Sequence, residues 1–214
     1  KLKIGFRLNK AVTHLNINKS SISENLVIAE NIANQFSDLV SENWFGPIII
    51  DFPFSFYFNK NNFSKVIAIC ECFENYKKTI EFSNKEWIND EVIDYLSTNK
   101  IAVCLRDVPK FDNLADDLNF LITSDFSYIK FYGKNQENWW QPLTEEDRTH
   151  YLYNQKILTK WFKNINEKLI NNIEDLFIVF NNVKEGNAIL NSEYLRKKLL
   201  VKPAIDNYQL ELPL

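Results

Sequence analysis

The 214-residue chain has no methionine, 4 glycines, 2 histidines and 3 cysteines, and each scarcity excludes something. Four widely separated glycines leave no room for a G-x-G-x-x-G turn or a P-loop, because both need clustered glycines to bring backbone amides against phosphate. Two histidines, His14 and His150, are too few for a His-rich polynuclear metal site. Cys70 and Cys72 stand two apart on an expected helix and so point to different faces. That spacing is neither a C-x-x-C redox pair nor half of a zinc site, and an odd total argues against a disulfide framework. All three cysteines read as small buried hydrophobes in a reduced, cytoplasmic setting. There is no basic excess: the formal net charge is -3 and the pI about 5.6, which counts against non-specific nucleic-acid binding but leaves a local basic patch open. No apolar run approaches the roughly 20 residues that span a bilayer, so no membrane partner is expected. The opening KLKIGFRLNK alternates Leu2, Ile4, Phe6 and Leu8 like a strand rather than forming the apolar block of a secretory leader. Beginning on Lys1 in mid-strand, with no methionine anywhere, the chain reads as a piece or a processed form of a longer protein.

What is present is a core. Hydrophobic residues make up 45% of the chain and aromatics 14%, enough for one sizeable globular domain. Strand and helix patterns alternate. Strands are expected at Leu2–Leu8, Gly46–Pro53, Lys78–Ser83, Lys100–Asp107, Ser124–Gly133 and from Leu176 into Asn182. Between them, apolar residues recur at helical spacing through Leu26, Ile28, Ile32, Phe36 and Leu39, then Val66–Phe73, Asp90–Leu96, a short stretch near Leu114–Phe120, Lys156–Ile170 and Ala188–Leu200. Near-continuously apolar strands alternating with helices imply parallel strands buried on both faces. With no repeat, linker or low-complexity block, residues 1–214 read as a single α/β domain. Two architectures fit: an open doubly wound sheet, weakened by the missing phosphate loop, or a (β/α) barrel lacking two units.

Six segments in order carry a resemblance: FRLNKAVTHL from Phe6, GPIIIDFPFSF from Gly46, IEFSNKEW from Ile80, YIKFYGKN from Tyr128, YLYN from Tyr151 and FNNVKEGNAILN from Phe180. Together they resemble the YecE-like family, a domain of unknown function. The resemblance runs over essentially the whole chain and implies a TIM-type barrel of which this chain holds strands three to eight. Such a barrel would be incomplete or distorted, with two unpaired edge strands. Against the family's Glu-Phe-Arg-His-x-x-Trp the chain reads Glu81, Phe82, Ser83, Asn84 and Trp87, losing the Arg and His. Against Arg-x-His-Gly-Arg it reads Lys130, Phe131, Tyr132, Gly133 and Lys134. Phe180, Asn181, Asn182, Gly186, Ala188 and Asn191 match. A divergent member is implied.

In TIM-type barrels the site lies at the C-terminal ends of the strands, which makes Lys10, His14, Asp51, Glu81, Asp107, Lys130, Tyr132, Asn181 and Asn182 the candidates. The family motifs add Asn84, Trp87, Lys134 and Tyr151 as ligand-binding positions. Period two places Glu81 with Ser83 on one face and Lys130 with Tyr132 on another. Facing inward, Glu81 would be a general base beside the Lys130 cation, or the two would form a structural ion pair. His14 reads as a cap or packing residue as readily as a catalytic one. No metal site is assigned, since nothing in the sequence sets the separation of Asp51 and Glu81. Trp139, Trp140, Tyr151 and Tyr153 either wall a sugar or base or pin a long loop to the barrel top. Thr144–Asp147 reads as a capping box.

Three function classes follow: a hydrolase-type enzyme acting on a phosphate- or sugar-bearing small molecule, a nucleic-acid processing or binding barrel by fold analogy, and a non-catalytic, degenerate barrel. The sequence specifies no cofactor and no oligomeric state.

Overall fold

The computed structural model describes residues 3–19, 21–41 and 45–200. Leu2 and the side chain of Leu39 lie outside the described residues. Six strands form one sheet: β1 (Ile4–Arg7), β2 (Phe45–Phe52), β3 (Lys78–Phe82), β4 (Ala102–Asp107), β5 (Phe126–Phe131) and β6 (Asp175–Phe180). Their spatial order is their sequence order, and every neighbouring pair is parallel. A doubly wound sheet reverses its order at a switch point; this one never does. It curls into a half-barrel, an incomplete TIM-type barrel with β1 and β6 as its edges among the described residues.

Among the described residues seven helices follow in order, α1 (Lys10–Thr13), α2 (Ser23–Ser41), α3 (Lys60–Glu71), α4 (Asp90–Thr98), α5 (Glu145–Arg148), α6 (Gln155–Lys168) and α7 (Asn187–Leu200); the longer ones cover the convex face, while the single-turn α1 and α5 lie at the mouth. Asparagine side chains cap several of them. Asn59 accepts from the Asn62 amide at the start of α3, Asn89 from Val92 at α4, and Asn154 from Ile157 at α6. Each satisfies an amide that the first turn leaves unpaired. None of the described helices is long and apolar enough to cross a membrane.

Side-chain alternation divides the sheet. Ile48, Ile50, Phe52, Ile80, Phe82, Val103, Leu105, Ile129 and Phe131 belong to the main core under the helices. The opposite parity, Ile49, Cys104 and Tyr128 with Phe177 and Val179, packs as a small cluster in the concave interior. Within the main core Trp87 lies parallel to Phe82, ring centroids 4.5 Å apart at 2°, with its indole N–H donated to the Phe56 carbonyl at 2.6 Å. Burying such a ring contributes about 2–3 kcal/mol.

The two edges are drawn toward each other at the N-terminal end of the sheet. Lys3, just before β1, and Lys77, just before β3, both bind the Asp175 carboxylate that opens β6, at 2.9 and 2.8 Å. Ion pairs there link edge strands that, among the described residues, share no ladder of backbone hydrogen bonds. Between β1 and β2 the chains approach so closely that a Cβ on Gly5 would lie 2.7 Å from the Pro47 carbonyl oxygen, beside a register shift between Ile4 and Phe6.

One expected helix does not form. The stretch Leu114–Phe120 is a loop ending in a 3-10 turn at Leu118–Phe120, with all three residues of that turn at positive φ. Asp116 and Asp117 cause this locally: their carboxylates accept the amides of Leu118 and Asn119, hydrogen bonds that compete with helix formation.

Candidate functional site

The parity that points Ile49, Cys104 and Tyr128 into the concave interior continues, two residues on, to Asp51, Arg106 and Lys130. Each therefore ends its strand facing the mouth. Glu81 lies directly opposite Asp51 in the β2–β3 register, and Arg106 opposite Lys130 in the β4–β5 register. The outcome is a compact charge cluster.

Glu81 is its hub and has no exposed surface. One carboxylate oxygen takes the Lys130 ammonium at 2.9 Å. The other faces the Arg106 Nε at 3.1 Å and accepts the Tyr132 hydroxyl. The Tyr132 ring also stands under both cations, 4.7 Å from the Lys130 nitrogen and 5.2 Å from the Arg106 guanidinium carbon. Arg106 spends further donors on the carbonyls of Phe82 and Ala115, each at 3.2 Å. Burial by itself would raise the Glu81 pKa, but Lys130, Arg106 and the Tyr132 hydrogen bond outweigh it and hold it down at about 2. The phenol of Tyr132 shifts the other way, pushed well up by burial and the Glu81 charge, so it remains a hydrogen-bond donor.

Asp51 sits in a different field. It is buried, paired with the guanidinium of Arg7 from the edge strand, and close enough to Glu81 to feel its negative charge. Burial first and Glu81 second push its pKa up to about 6, against the opposing pull of Arg7, Lys130 and Arg106. Two register-matched carboxylates are thus driven apart in proton affinity, one held down at about 2 and one pushed up to about 6.

A cavity of about 520 Å³ opens above this floor, within the ordinary range for small-molecule sites. Lys10, His14, Asp51, Lys130, Tyr132 and Asn181 all line it, six of the thirteen candidates singled out in the sequence, with Glu81 beneath them. His14 is half-buried, hydrogen-bonded to the Thr13 hydroxyl at 2.8 Å. Burial, then the positive charges of Arg7 and Lys10, lower its pKa, leaving a neutral imidazole at pH 7. Ser83, where the family motif carries Arg, also lines the cavity.

Other candidates lie elsewhere. Asp107 has the opposite strand parity from Arg106, so it faces the helix layer and pairs with Lys134 at 3.1 Å; neither residue lines the mouth. Trp87 belongs to the main core. Asn84 caps the 3-10 turn Lys85–Trp87 by accepting from the Glu86 amide. Tyr151 packs at the edge of the core beside Gly133, whose φ of +95° and lack of a Cβ admit the tyrosine; a Cβ there would lie 2.4 Å from that of Tyr151. Asn182, one residue out of parity with Asn181, is fully buried and donates to the Tyr151 carbonyl at 2.7 Å and to Asn191 at 2.9 Å. Asn191 in turn bridges the backbone N–H and carbonyl of Tyr153. The asparagine pair thus divides: Asn181 faces the mouth, and Asn182 ties β6 to the loop before α6 and to α7.

Five charged participants escape a search for strand-end carboxylates and family motifs: Arg7, Arg106, Arg148, Glu145 and Glu146. Arg106 was the most legible of them, because an arginine inside the apolar strand AVCLRD needs a buried anion. The Thr144–Asp147 capping box forms as expected. Its helix is also fastened across the rim, Lys184 to Asp147, with His150 bound to Glu185 at 3.0 Å nearby. A larger groove, about 830 Å³, runs along the outer face of β6 between α6 and α7. It is lined mainly by apolar side chains and lacks the cluster of opposed charges found in the mouth. Among the described residues no three His, Cys, Asp or Glu side chains gather as a metal cluster requires.

Comparison with known proteins gives a consistent picture. The model of a family described as a protein of unknown function, DUF72, matches residues 1–210. The UPF0759 protein YunF of Bacillus subtilis (strain 168) is 26% identical over 129 residues, covering 56% of this chain and 45% of that protein; the chain spans less than half the length of this curated relative. The crystal structure of a DUF72 family protein from Thermotoga maritima MSB8 superposes with a TM-score of 0.83 at 27% identity, over 92% of this chain and 73% of that one. A DUF72 family protein from Enterococcus faecalis V583 gives a TM-score of 0.80 over 98% of this chain and 78% of its own, and at 16% identity that likeness speaks to fold alone.

Proposed function

The chain belongs to the DUF72 family, the same family as the YecE-like proteins its motifs resemble, and from that premise we propose that its half-barrel mouth is a hydrolase-type site for a phosphate- or sugar-bearing small molecule. The observation that carries this reading is the Asp51–Glu81 pair, two facing carboxylates whose surroundings set their proton affinities in opposite directions. Asp51, poised near pH 6, is the general acid or base. Glu81 accepts hydrogen bonds from Lys130 and Tyr132, is ion-paired with Arg106, and holds Lys130 and Arg106 as fixed cations against a developing anion. The proton-transfer role that strand periodicity offers Glu81 therefore passes to Asp51.

Charge supports an anionic ligand. Three cations of the floor, Arg7, Arg106 and Lys130, meet two carboxylates, Asp51 and Glu81, and Lys10 adds a further positive charge at the rim. Glu145, paired with Arg148 at 3.4 Å, and Glu146 line the same mouth; a lining of mixed charge suits one small anionic molecule better than the continuous basic track that a nucleic-acid backbone requires. The loss of the family's Arg and His at Ser83 and Asn84 motivates the non-catalytic reading.

The test is turnover of a panel of aryl phosphates and aryl glycosides by the full chain and by Asp51→Asn. The acid–base role predicts a loss of about a hundredfold or more, together with disappearance of a pH–rate limb near 6. An Asp51→Asn enzyme as fast as wild type would overturn the assignment. Phosphate binding without turnover of any ester or glycoside would place the chain with the non-catalytic barrels.

A further inference from the structure

Proton transfer leaves one conspicuous part of the mouth unused. The adjacent tryptophans of the long loop differ sharply: Trp139 is 4% exposed and Trp140 42%. Trp139 pins the loop, packed edgewise on Tyr132 at 6.0 Å, with its carbonyl held by Arg148. Trp140 has no such burial, yet it is braced from two sides by Phe54 at 4.9 Å and Phe111 at 5.5 Å, and it lines the cavity. Asp51, Phe54 and the exposed indole line the same cavity. A large apolar ring held rigid at the edge of a charged cavity is a stacking platform whose ordering cost has already been met in the fold.

The rest of the lining is divided in kind. Arg7, paired with Asp51, and Lys10 both line the mouth and offer positive charge to a phosphate. Asn181 and the carboxylates of Glu145 and Glu146 offer hydrogen-bond acceptors with an amide donor. Ring hydroxyls match that set, because a carboxylate accepts but does not donate.

Resting on the reading of the mouth as a ligand site, we infer that its ligand is a phosphorylated sugar, with the C–H face of the ring on Trp140, hydroxyls toward Asn181 and Glu145–Glu146, and the phosphate at Arg7 and Lys10. Trp140 is then a specificity residue rather than a loop anchor, and it contributes to the ring end of the ligand only.

Calorimetric titration of the full chain with inorganic phosphate, hexose 6-phosphates, free hexoses and nucleoside monophosphates tests this. Hexose phosphates are expected to bind about tenfold or more tighter than inorganic phosphate. Trp140→Ala should abolish that advantage with phosphate affinity unchanged, Trp140→Phe should keep most of it, and Lys10→Ala should weaken both ligands. The inference is overturned if Trp140→Ala binds hexose phosphates as tightly as wild type, if they bind no tighter than phosphate itself, or if nucleoside monophosphates are preferred. Each of those results leaves the mouth as an anion site. Failure of phosphate and all its esters to bind would instead remove the mouth reading, and this inference with it.

Discussion

Replacing Glu81 by Gln keeps the shape of the side chain and removes the charge on which the cluster is built. Lys130 and Arg106 would remain at the floor of the mouth, with side chains 8% and 4% exposed, largely desolvated and with one anion fewer between them. Removing one member of a buried ion pair costs about 3–5 kcal/mol. A second route gives a similar magnitude: the fall in the Glu81 pKa from 4.5 to about 2 corresponds to about 3 kcal/mol of preference for the ionised form. Urea unfolding at pH 7, followed by tryptophan fluorescence, should therefore show the midpoint falling by more than about 1 M, taking an m-value of about 2 kcal/mol/M. The pH dependence has a definite sign. Because the folded-state pKa is depressed, this stabilisation is fully present above 4.5 and is lost as pH falls toward 2, so the gap between wild type and variant should close below pH 4.5. Glu91→Gln is the control: its partner Lys60 has a side chain 78% exposed, and such a pair contributes less than about 1 kcal/mol. If Glu81→Gln costs no more than this surface control, the cluster is not a coupled, desolvated unit and the reasoning about the mouth fails at its base.

Asp51 should titrate near pH 6 in the folded protein, measurable from its side-chain carboxyl carbon by NMR; a midpoint at or below 4 contradicts the geometry. The sign is opposite to that of Glu81: a raised folded pKa makes stability fall as pH rises from the usual carboxylate range through 6, and Asp51→Asn should flatten that slope. Gly133→Ala should destabilise by about 2–4 kcal/mol, combining a left-handed backbone with the Tyr151 clash. Gly186→Ala, also at positive φ but with nothing within 4 Å of the added Cβ, should cost about 1–2 kcal/mol. Equal losses in thermal unfolding would show that the Tyr151 contact contributes nothing.

Much of this protein is determined locally. The apolar runs IIIDF and AVCLRD become strands because alternating side chains on both faces find apolar partners, and the asparagines that look like compositional noise become helix caps because a short amide side chain fits the first turn. The same periodicity places Asp51, Glu81 and Lys130 on the inward face, so their presence in the mouth is legible once the strands are known. Parity likewise separates Asn181 from Asn182 and Arg106 from Asp107, but only after the curl defines which face is inside. What sequence alone leaves undecided is which charge carries the proton. That depends on how many cations converge on each carboxylate: Glu81 meets Lys130, Arg106 and Tyr132 from two other strands and the loop beyond β5, while Asp51 meets Arg7 at an edge and a like charge beside it. The Lys130 and Tyr132 partners of Glu81 are 49 and 51 residues away along the chain, and only the tertiary fold brings them close enough for a field that falls with distance and is screened by water to act.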